Sequence, residues 1–344
     1  SMLVSFNTFS ESEHVMTDTD TGFAFTQQSS AEADDQLFSE DTGKLGDRVF
    51  RGLSFGAAGL ILVTLAAVAI FLFKEGLPTF TGDQDELDNA ESFVSYVGPL
   101  IFGTVYISAL ALLIATPVAV AVALYISHYS PRKLSHTLGY FIDILAAIPS
   151  VVYGIWGIGV LAPILSGSLY PWLDDYASFL PFFGSDINVS TSGRTMLTVA
   201  IVLAVMILPI ITAISREVFL QTPRLHEEAS LALGATRWEM VRQAVIPYGR
   251  SGVISGAMLG LGRALGETMA VAIILSPADG YFWNIITNSN SNTIAANIAL
   301  QFPESSGLEV NRLIATGLVL FMITFVVNAF ARKIANTGFP GADG

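Results

Sequence analysis

The chain has 344 residues, of which 52% are hydrophobic and only 13% charged; it has no cysteine and a formal net charge of −13. A mean hydropathy of +0.59 leaves too little polar surface to cover a water-soluble domain, and the missing cysteine excludes disulfide frameworks and thiolate metal sites. The four histidines, His14, His128, His136 and His226, have no ligand-like spacing, so no metal site is expected.

Residues 1–43 are polar and acidic, and nine of the negative charges precede the first lysine. With so much Ser, Thr and Gln they bury too little apolar surface to offset chain entropy, which predicts a disordered acidic tail. They lack the basic start and apolar stretch of a signal peptide, so the tail is expected to stay with the mature protein. A short C-terminal tail is expected over 336–344, leaving 44–335 as the membrane domain.

Six segments in that domain are apolar enough to span a bilayer as α-helices: 52–73, 98–127, 138–165, 195–215, 251–276 and 312–331. No alternating ten-residue pattern suggests a barrel, so the expected fold is an all-α membrane bundle. With the N-terminus inside, the cytoplasmic side receives twelve basic residues: Lys44, Arg48, Arg51, Arg132, Lys133, Arg216, Arg224, Arg237, Arg242, Arg250, Arg332 and Lys333. The outside receives Lys74, Arg194 and Arg312, whereas the outer loops carry Asp83, Asp85, Glu86, Asp88 and Glu91, then Trp172, Asp174, Asp175 and Phe179. This asymmetry predicts both termini in the cytoplasm and an interfacial aromatic belt.

The loop between the fourth and fifth spans encodes a helical hairpin over 222–247. Thr222 is placed to N-cap a first helix with Pro223 at its first position, and Glu227 and Glu228 suit the opening turns. Gly234 reads as the stop, Thr236-Arg237-Trp238-Glu239 as a capping box opening a second helix, and Pro247 as its end. An amphipathic hairpin lying in the headgroups has the same pattern. A DNA-binding helix-turn-helix is disfavoured because both ends are tethered close to the membrane.

The fifth span carries Arg263 and Glu267 within Gly260-Leu261-Gly262-Arg263-Ala264-Leu265-Gly266-Glu267-Thr268. Arg263 lies about 18 Å along the helix from Ser251, where a charge is expensive and normally meets a cavity or a partner. The i, i+4 spacing allows a self-neutralising pair; alternatively, the guanidinium contacts a passing oxyanion while Glu267 holds it in place. Asp143, in the third expected span, is a further intramembrane acid and a candidate to share Arg263, and Thr268 joins the candidate pathway residues. Gly252, Gly256 and Gly260 recur every four residues, and Gly262 and Gly266 repeat that spacing on another face, which favours close helix contact. Pro117 and Pro149 are expected to kink the second and third spans.

Glu228-Ala229-Ser230 with Gly234 and Ile246-Pro247 resembles the EAA loop of ABC importer permeases, departing at Ser230, Ala244 and Ile246. The run Gly260 to Val271, following that loop, is similar to the PstC permeases of phosphate ABC importers, and the likeness runs from about residue 45 to 335. The resemblance implies the type I (MetI-like) fold with six transmembrane helices, in the bacterial inner membrane. It implies that Glu228, Ala229, Ser230, Gly234, Thr236, Arg237, Trp238 and Glu239 dock on an ATPase. It also implies a heterodimer with a PstA-like permease, two PstB-like ATPases and a PstS-like phosphate-binding protein. ATP and Mg would be bound by the ATPase: Gly43-Lys44 is followed by Leu45, and the chain has no phosphate-cradling loop of its own. The chain would thus move inorganic phosphate by alternating access, without being an enzyme and without a nucleic-acid partner. A sulfate or molybdate permease and a membrane scaffold are the alternatives. An ion-gradient transporter would normally show repeated halves, and none is visible.

Overall fold

The computed structural model describes residues 42–81, 92–180, 182–183 and 189–336. The acids Asp83, Asp85, Glu86, Asp88 and Glu91 lie outside the described residues. So do the expected tails, apart from Asn336 and from Thr42 and Gly43, which already belong to the first helix. The chain divides after Ala67 into two compact units. Helix α1, Thr42–Gly76, begins in the first; its apolar run contains no proline, so the helix continues through the expected span. The second unit, Val68–Gly344, forms a bundle of its own.

Helix α2, Phe93–Leu124, is N-capped by Ser92 and ends in a π-turn at Tyr125–Tyr129; it runs on through Pro99 and Pro117. Ile107, Ala111, Ala115, Ala119 and Ala123 recur along it every four residues and are 0% exposed. Such a small-residue ridge brings two backbones together, here against Val199, Val202, Ile207 and Ile211 of α5, Met196–Leu220. Helix α5 is buried on every side through its first half and forms the centre of the bundle.

The expected third span is two helices. Helix α3, Arg132–Ala146, ends before Pro149, whose backbone is extended (ψ 139°), and α4, Ser150–Ala177, starts behind it. Proline offers no N–H to a helix and pushes the preceding residue out of the helical region, so the chain turns through Ala147 and Ile148. Helix α3 is amphipathic, and α4 has the length and hydropathy to cross the membrane. Asp143 therefore lies on a separate helix ahead of the span, where it is exposed.

Two further corrections concern the hairpin. Helix α6, Arg224–Ala232, has Pro223 at its N-cap; Thr222 Oγ1 is buried without a hydrogen-bond partner and caps nothing. Pro247 ends nothing either: α7, Arg237–Met240, leads through a π-turn at Val241–Val245 directly into α8, Ile246–Leu265. The Ile246 N–H donates to Val241 O, and this wide turn, with Pro247 in the first turn behind it, lets the helix run through the proline.

The glycine ladder of α8 packs as expected. Side-chain atoms of Phe219, Val218, Ile214 and Ile211 occupy the space where Gly249, Gly252, Gly256 and Gly260 would carry a Cβ. Gly262, on the other face, has nothing within 4 Å of such a Cβ, and Gly266 meets only the Gly262 carbonyl at 3.7 Å, so that face is open within the chain. Among the described residues, five helices are long and apolar enough to cross a membrane: α1, α2 with its π-turn, α4, α5 and the last helix, Leu308–Asn336. The expected fifth span, 251–276, breaks at Gly266–Thr268 and resumes as α9, Met269–Ile274.

Beyond α9 the chain folds back on the bundle through α10, Ile294–Gln301, to α11, Leu308–Asn336. Strand β1, Pro277–Ala278, pairs in parallel with β2, Asn290–Ser291. The Asn292 carbonyl presses on Gly103 of α2, which has room for it only because it lacks a Cβ. Asn290 ties the loop together, its Nδ2 donating to the carbonyls of Arg194, Ser276 and Asn288 while its Oδ1 accepts from Met196 N–H at 3.0 Å.

Candidate functional site

The helix break decides what Arg263 and Glu267 can do. An i, i+4 pair shares a face only while the helix continues, and α8 stops at Leu265. Arg263 and Glu267 accordingly form no ion pair within 4 Å. Glu267 is buried, 7% exposed, and its Oε1 accepts from the Ala270 N–H at 3.1 Å. A carboxylate there satisfies one orphan donor in the first turn of α9 and sits at the positive end of that helix's dipole.

At the other end of α9, Arg194 donates from Nε to Ile274 O (3.2 Å) and from Nη2 to Leu275 O (3.4 Å). This helix of 6 residues is therefore held at both ends by charges of the sign its dipole favours. Its flank rests on Gly154 of α4, where a Cβ would stand 3.0 Å from Ala270 Cα. The Arg194 contact spans 80 residues of sequence, and no local pattern around Arg194 announces it. Thr268 closes on its own segment, donating to Gly266 O at 3.1 Å.

Arg263 is half-buried and reaches in the opposite direction. Its Nη1 donates to Ala146 O, a last-turn carbonyl of α3, at 3.5 Å, the long limit of a hydrogen bond. A helix C-terminus is a natural seat for a cation. The remaining guanidinium donors have no acceptor among the described residues, and the open face at Gly262 and Gly266 lies beside them. Asp143, one turn earlier on α3, makes no ion pair with Arg263. The structure thus separates the four candidate pathway residues: Arg263 is accessible with spare donors, Glu267 is a buried cap, Thr268 bonds within the break, and Asp143 is exposed nearby.

On the hairpin, Gly234 has φ +87°, the left-handed conformation its position calls for. The capping box forms: Glu239 N–H donates to Thr236 Oγ1 (3.3 Å), and Thr236 N–H donates to Glu239 Oε2 (2.7 Å). These bonds to Thr236, the backbone one foremost, hold the Glu239 carboxyl below its ordinary range. Met240, Val241 and Val245 anchor the second arm in a cluster with Ala123, Leu124 and Phe219. The first arm is tied down by Glu227, whose Oε1 lies 3.3 Å from His128 Nε2. Glu228, Ala229 and Arg237 are exposed, and Ser230 is partly covered. Leu225, Leu233 and Trp238 stand 74%, 90% and 57% exposed, a set of apolar side chains that suits a protein partner better than water.

A mostly helical bundle with long apolar helices, a broken helix in its interior and a stiff hairpin on one face fits a multi-pass membrane protein. Residues 115–336 match the family described as "Binding-protein-dependent transport system inner membrane component". Over 301 residues the chain is 44% identical to "Phosphate transport system permease protein PstC 2" of Mycobacterium tuberculosis, covering 84% of this chain and 92% of that one. It is 40% identical to PstC of Mesorhizobium japonicum over 294 residues, covering 84% and 89%. Among solved structures it resembles a bacterial alginate ABC transporter in complex with a periplasmic protein (TM-score 0.52, 18% identity, 86% and 100% covered). It also resembles the MetNI methionine ABC transporter (TM-score 0.50, 15% identity, 71% and 98% covered). The fold is that of type I ABC importer permeases. The chain belongs to the binding-protein-dependent inner membrane components and, within them, to the PstC permeases. It is a transport subunit, which leaves ATP hydrolysis to a separate ATPase and substrate capture to a binding protein.

Proposed function

We propose that this chain carries inorganic phosphate into the cytoplasm by alternating access, with Arg263 contacting the anion on its way. The observation that carries this reading is the accessible Arg263 guanidinium, held to Ala146 by a single long bond beside an open, glycine-lined face. A planar fork with free donors matches paired oxyanion oxygens, and one weak anchor leaves it able to engage and release them. The phosphate assignment is supported by the PstC relatives, which are 44% and 40% identical over most of the chain.

In this reading the chain pairs with a PstA-like permease, receives phosphate from a PstS-like protein, and docks its hairpin on one of two PstB-like ATPases that bind ATP and Mg. Both termini face the cytoplasm, in keeping with the distribution of basic residues. Glu228, Ala229, Ser230, Gly234, Thr236, Arg237, Trp238 and Glu239 form the docking element, and the exposed Leu225, Leu233 and Trp238 supply apolar surface for it. Phosphate uptake by vesicles holding the complete transporter tests the assignment. Arg263→Gln should lower uptake at least about tenfold, the loss expected for one charged hydrogen bond, with expression unchanged. Full uptake by the variant refutes the role of Arg263. Uptake of sulfate or molybdate in place of phosphate refutes the substrate.

A further inference from the structure

Gly139, Asp143 and Ala146 stand at i, i+4 and i+7 on α3, which places them along one face. Arg263 meets α3 at the C-terminal end of that face, on the Ala146 carbonyl. A second guanidinium meets it at the other end: a Cβ on Gly139 would lie 2.5 Å from Arg216 Nη1, 3.0 Å from its Cζ and 3.3 Å from its Nη2. The Arg216 guanidinium thus sits against α3 at Gly139, in space that a Cβ there would fill. Seven residues of helix separate the two contacts, about 10 Å along the axis. Asp143 stands between them, exposed and bonded to neither.

An arginine near the cytoplasmic end of a span that served only topology would extend into the headgroups and hydrate its charge there. Arg216 does otherwise. Its Nε is buried without a hydrogen-bond partner, and the guanidinium has no acceptor among the described residues. A cation kept partly buried with unused donors is a waiting oxyanion contact.

We propose that Arg216 is a second oxyanion-binding station, on the cytoplasmic side of Arg263 along the Gly139–Asp143–Ala146 face of α3. This rests on the transport reading above and deepens it. A tetrahedral inorganic oxyanion leaving Arg263 is drawn on by Arg216, while the Asp143 carboxylate between the two keeps either cation from trapping it. Conduction needs sites of this shallow, repeated kind.

The test uses the absence of cysteine in this chain. Arg216→Cys is placed in the complete transporter, with cysteines of the other subunits removed, and phosphate uptake is measured in vesicles. Uptake should fall at least about tenfold, as for loss of one charged hydrogen bond. A cationic aminoethyl thiol reagent should restore a large part of it, a neutral methyl reagent should not, and saturating phosphate should slow the labelling. Wild-type uptake by the variant, equal rescue by the neutral reagent, or labelling indifferent to phosphate each overturns the proposal. Arg216→Lys and Gly139→Ala keep the charge and cover the case of a variant that fails to assemble. Lysine replaces the planar guanidinium with an ammonium and a methyl on Gly139 displaces it; each should raise the phosphate KM several-fold, and an unchanged KM in both refutes the station. Arg263→Gln, measured alongside, separates the two readings. If it abolishes uptake while the Arg216 variants transport normally, only the second station falls; if it transports normally, the whole route falls.

Discussion

Replacing Glu267 distinguishes a helix cap from one half of an ion pair. The carboxylate is 7% exposed and accepts from Ala270 N–H at 3.1 Å. A hydrogen bond to a charged group contributes ~1.5–3 kcal/mol, a neutral one about 1 kcal/mol, and a charge at a helix terminus a further ~0.3–1 kcal/mol. Glutamine keeps an oxygen that can accept from Ala270, so Glu267→Gln should cost about 1–3 kcal/mol. Glu267→Ala leaves the amide without its acceptor and opens a void, so a larger loss of about 2–4 kcal/mol or more is expected. Thermal unfolding of the purified, assembled transporter measures both. The decisive quantity is the double-mutant cycle with Arg263→Gln. The two residues form no ion pair, and their anchors are separate, one at Ala270 and the other at Ala146. Their effects should therefore add to within about 0.5 kcal/mol. A coupling above about 1 kcal/mol would mean that the two charges hold each other, and the cap assignment for Glu267 would be wrong.

Arg194→Gln removes the guanidinium from the carbonyls of Ile274 and Leu275 and should destabilise the assembled transporter by ~1.5–3 kcal/mol in the same unfolding assay. Arg194→Lys should recover part of that loss, and a neutral outcome for Arg194→Gln would mean that the clamp does not stabilise α9. At Gly234 nothing lies within 4 Å of an added Cβ, so Gly234→Val acts through backbone conformation alone, at about 1–2 kcal/mol for the left-handed region. In the proposed cycle it separates ATP hydrolysis from phosphate uptake; a normal ratio of the two counts against docking by this turn. Gly252→Ala drives a methyl into Val218 and should cost ~1–3 kcal/mol by overpacking α5 against α8, read as a lowered Tm. Glu239 has its carboxyl held below its ordinary range in the folded hairpin. The capping contribution is therefore present above the unfolded-state value and is lost as pH falls through the depressed one. Trp238 emission, with the other tryptophans replaced, should report this loosening at acid pH, and Glu239→Gln should flatten the transition.

The helices through 52–73, 98–127, 195–215 and 312–331, the Gly234 turn and the capping box were legible because each rests on local chemistry: apolar runs, a glycine at positive φ, and a threonine three residues before a glutamate. The two broken helices were less so. Pro149 was visible, but whether a proline kinks a span or divides it depends on the turn at Ala147 and Ile148 that the surrounding bundle accommodates. Pro247 shows the opposite outcome, where a π-turn absorbs the ring. The break at Gly266–Thr268 hid inside a run that is apolar on both sides, and with it went the assumption that Arg263 and Glu267 share a helical face. Arg194 and Arg216 entered the sequence reading only as charges with a side of the membrane. Their contacts with Ile274 and Gly139 join segments far apart in sequence, and spacing along one chain cannot reveal them. The alanine ridge of α2 was readable by the same every-fourth-residue rule that exposed the glycines of α8.

The corrections at Pro247 and Gly266 together bear on how motion could travel in the proposed cycle. Because Pro247 does not end the hairpin's second arm, one helical rod runs from Arg237 through the π-turn to Leu265, with Trp238 at one end and Arg263 near the other. The first arm is tied through Glu227 to His128 at the end of α2. A push on the hairpin therefore reaches Arg263 along a packed helix, and the weakest points on that line are the wide turn at Val241–Val245 and the break at Gly266–Thr268. Beyond the break, Glu267 and Arg194 hold α9 at both ends. In the proposed cycle Arg263 would move with the rod while α9 stayed clamped, and its one long bond to Ala146 is the contact such a shift would break first.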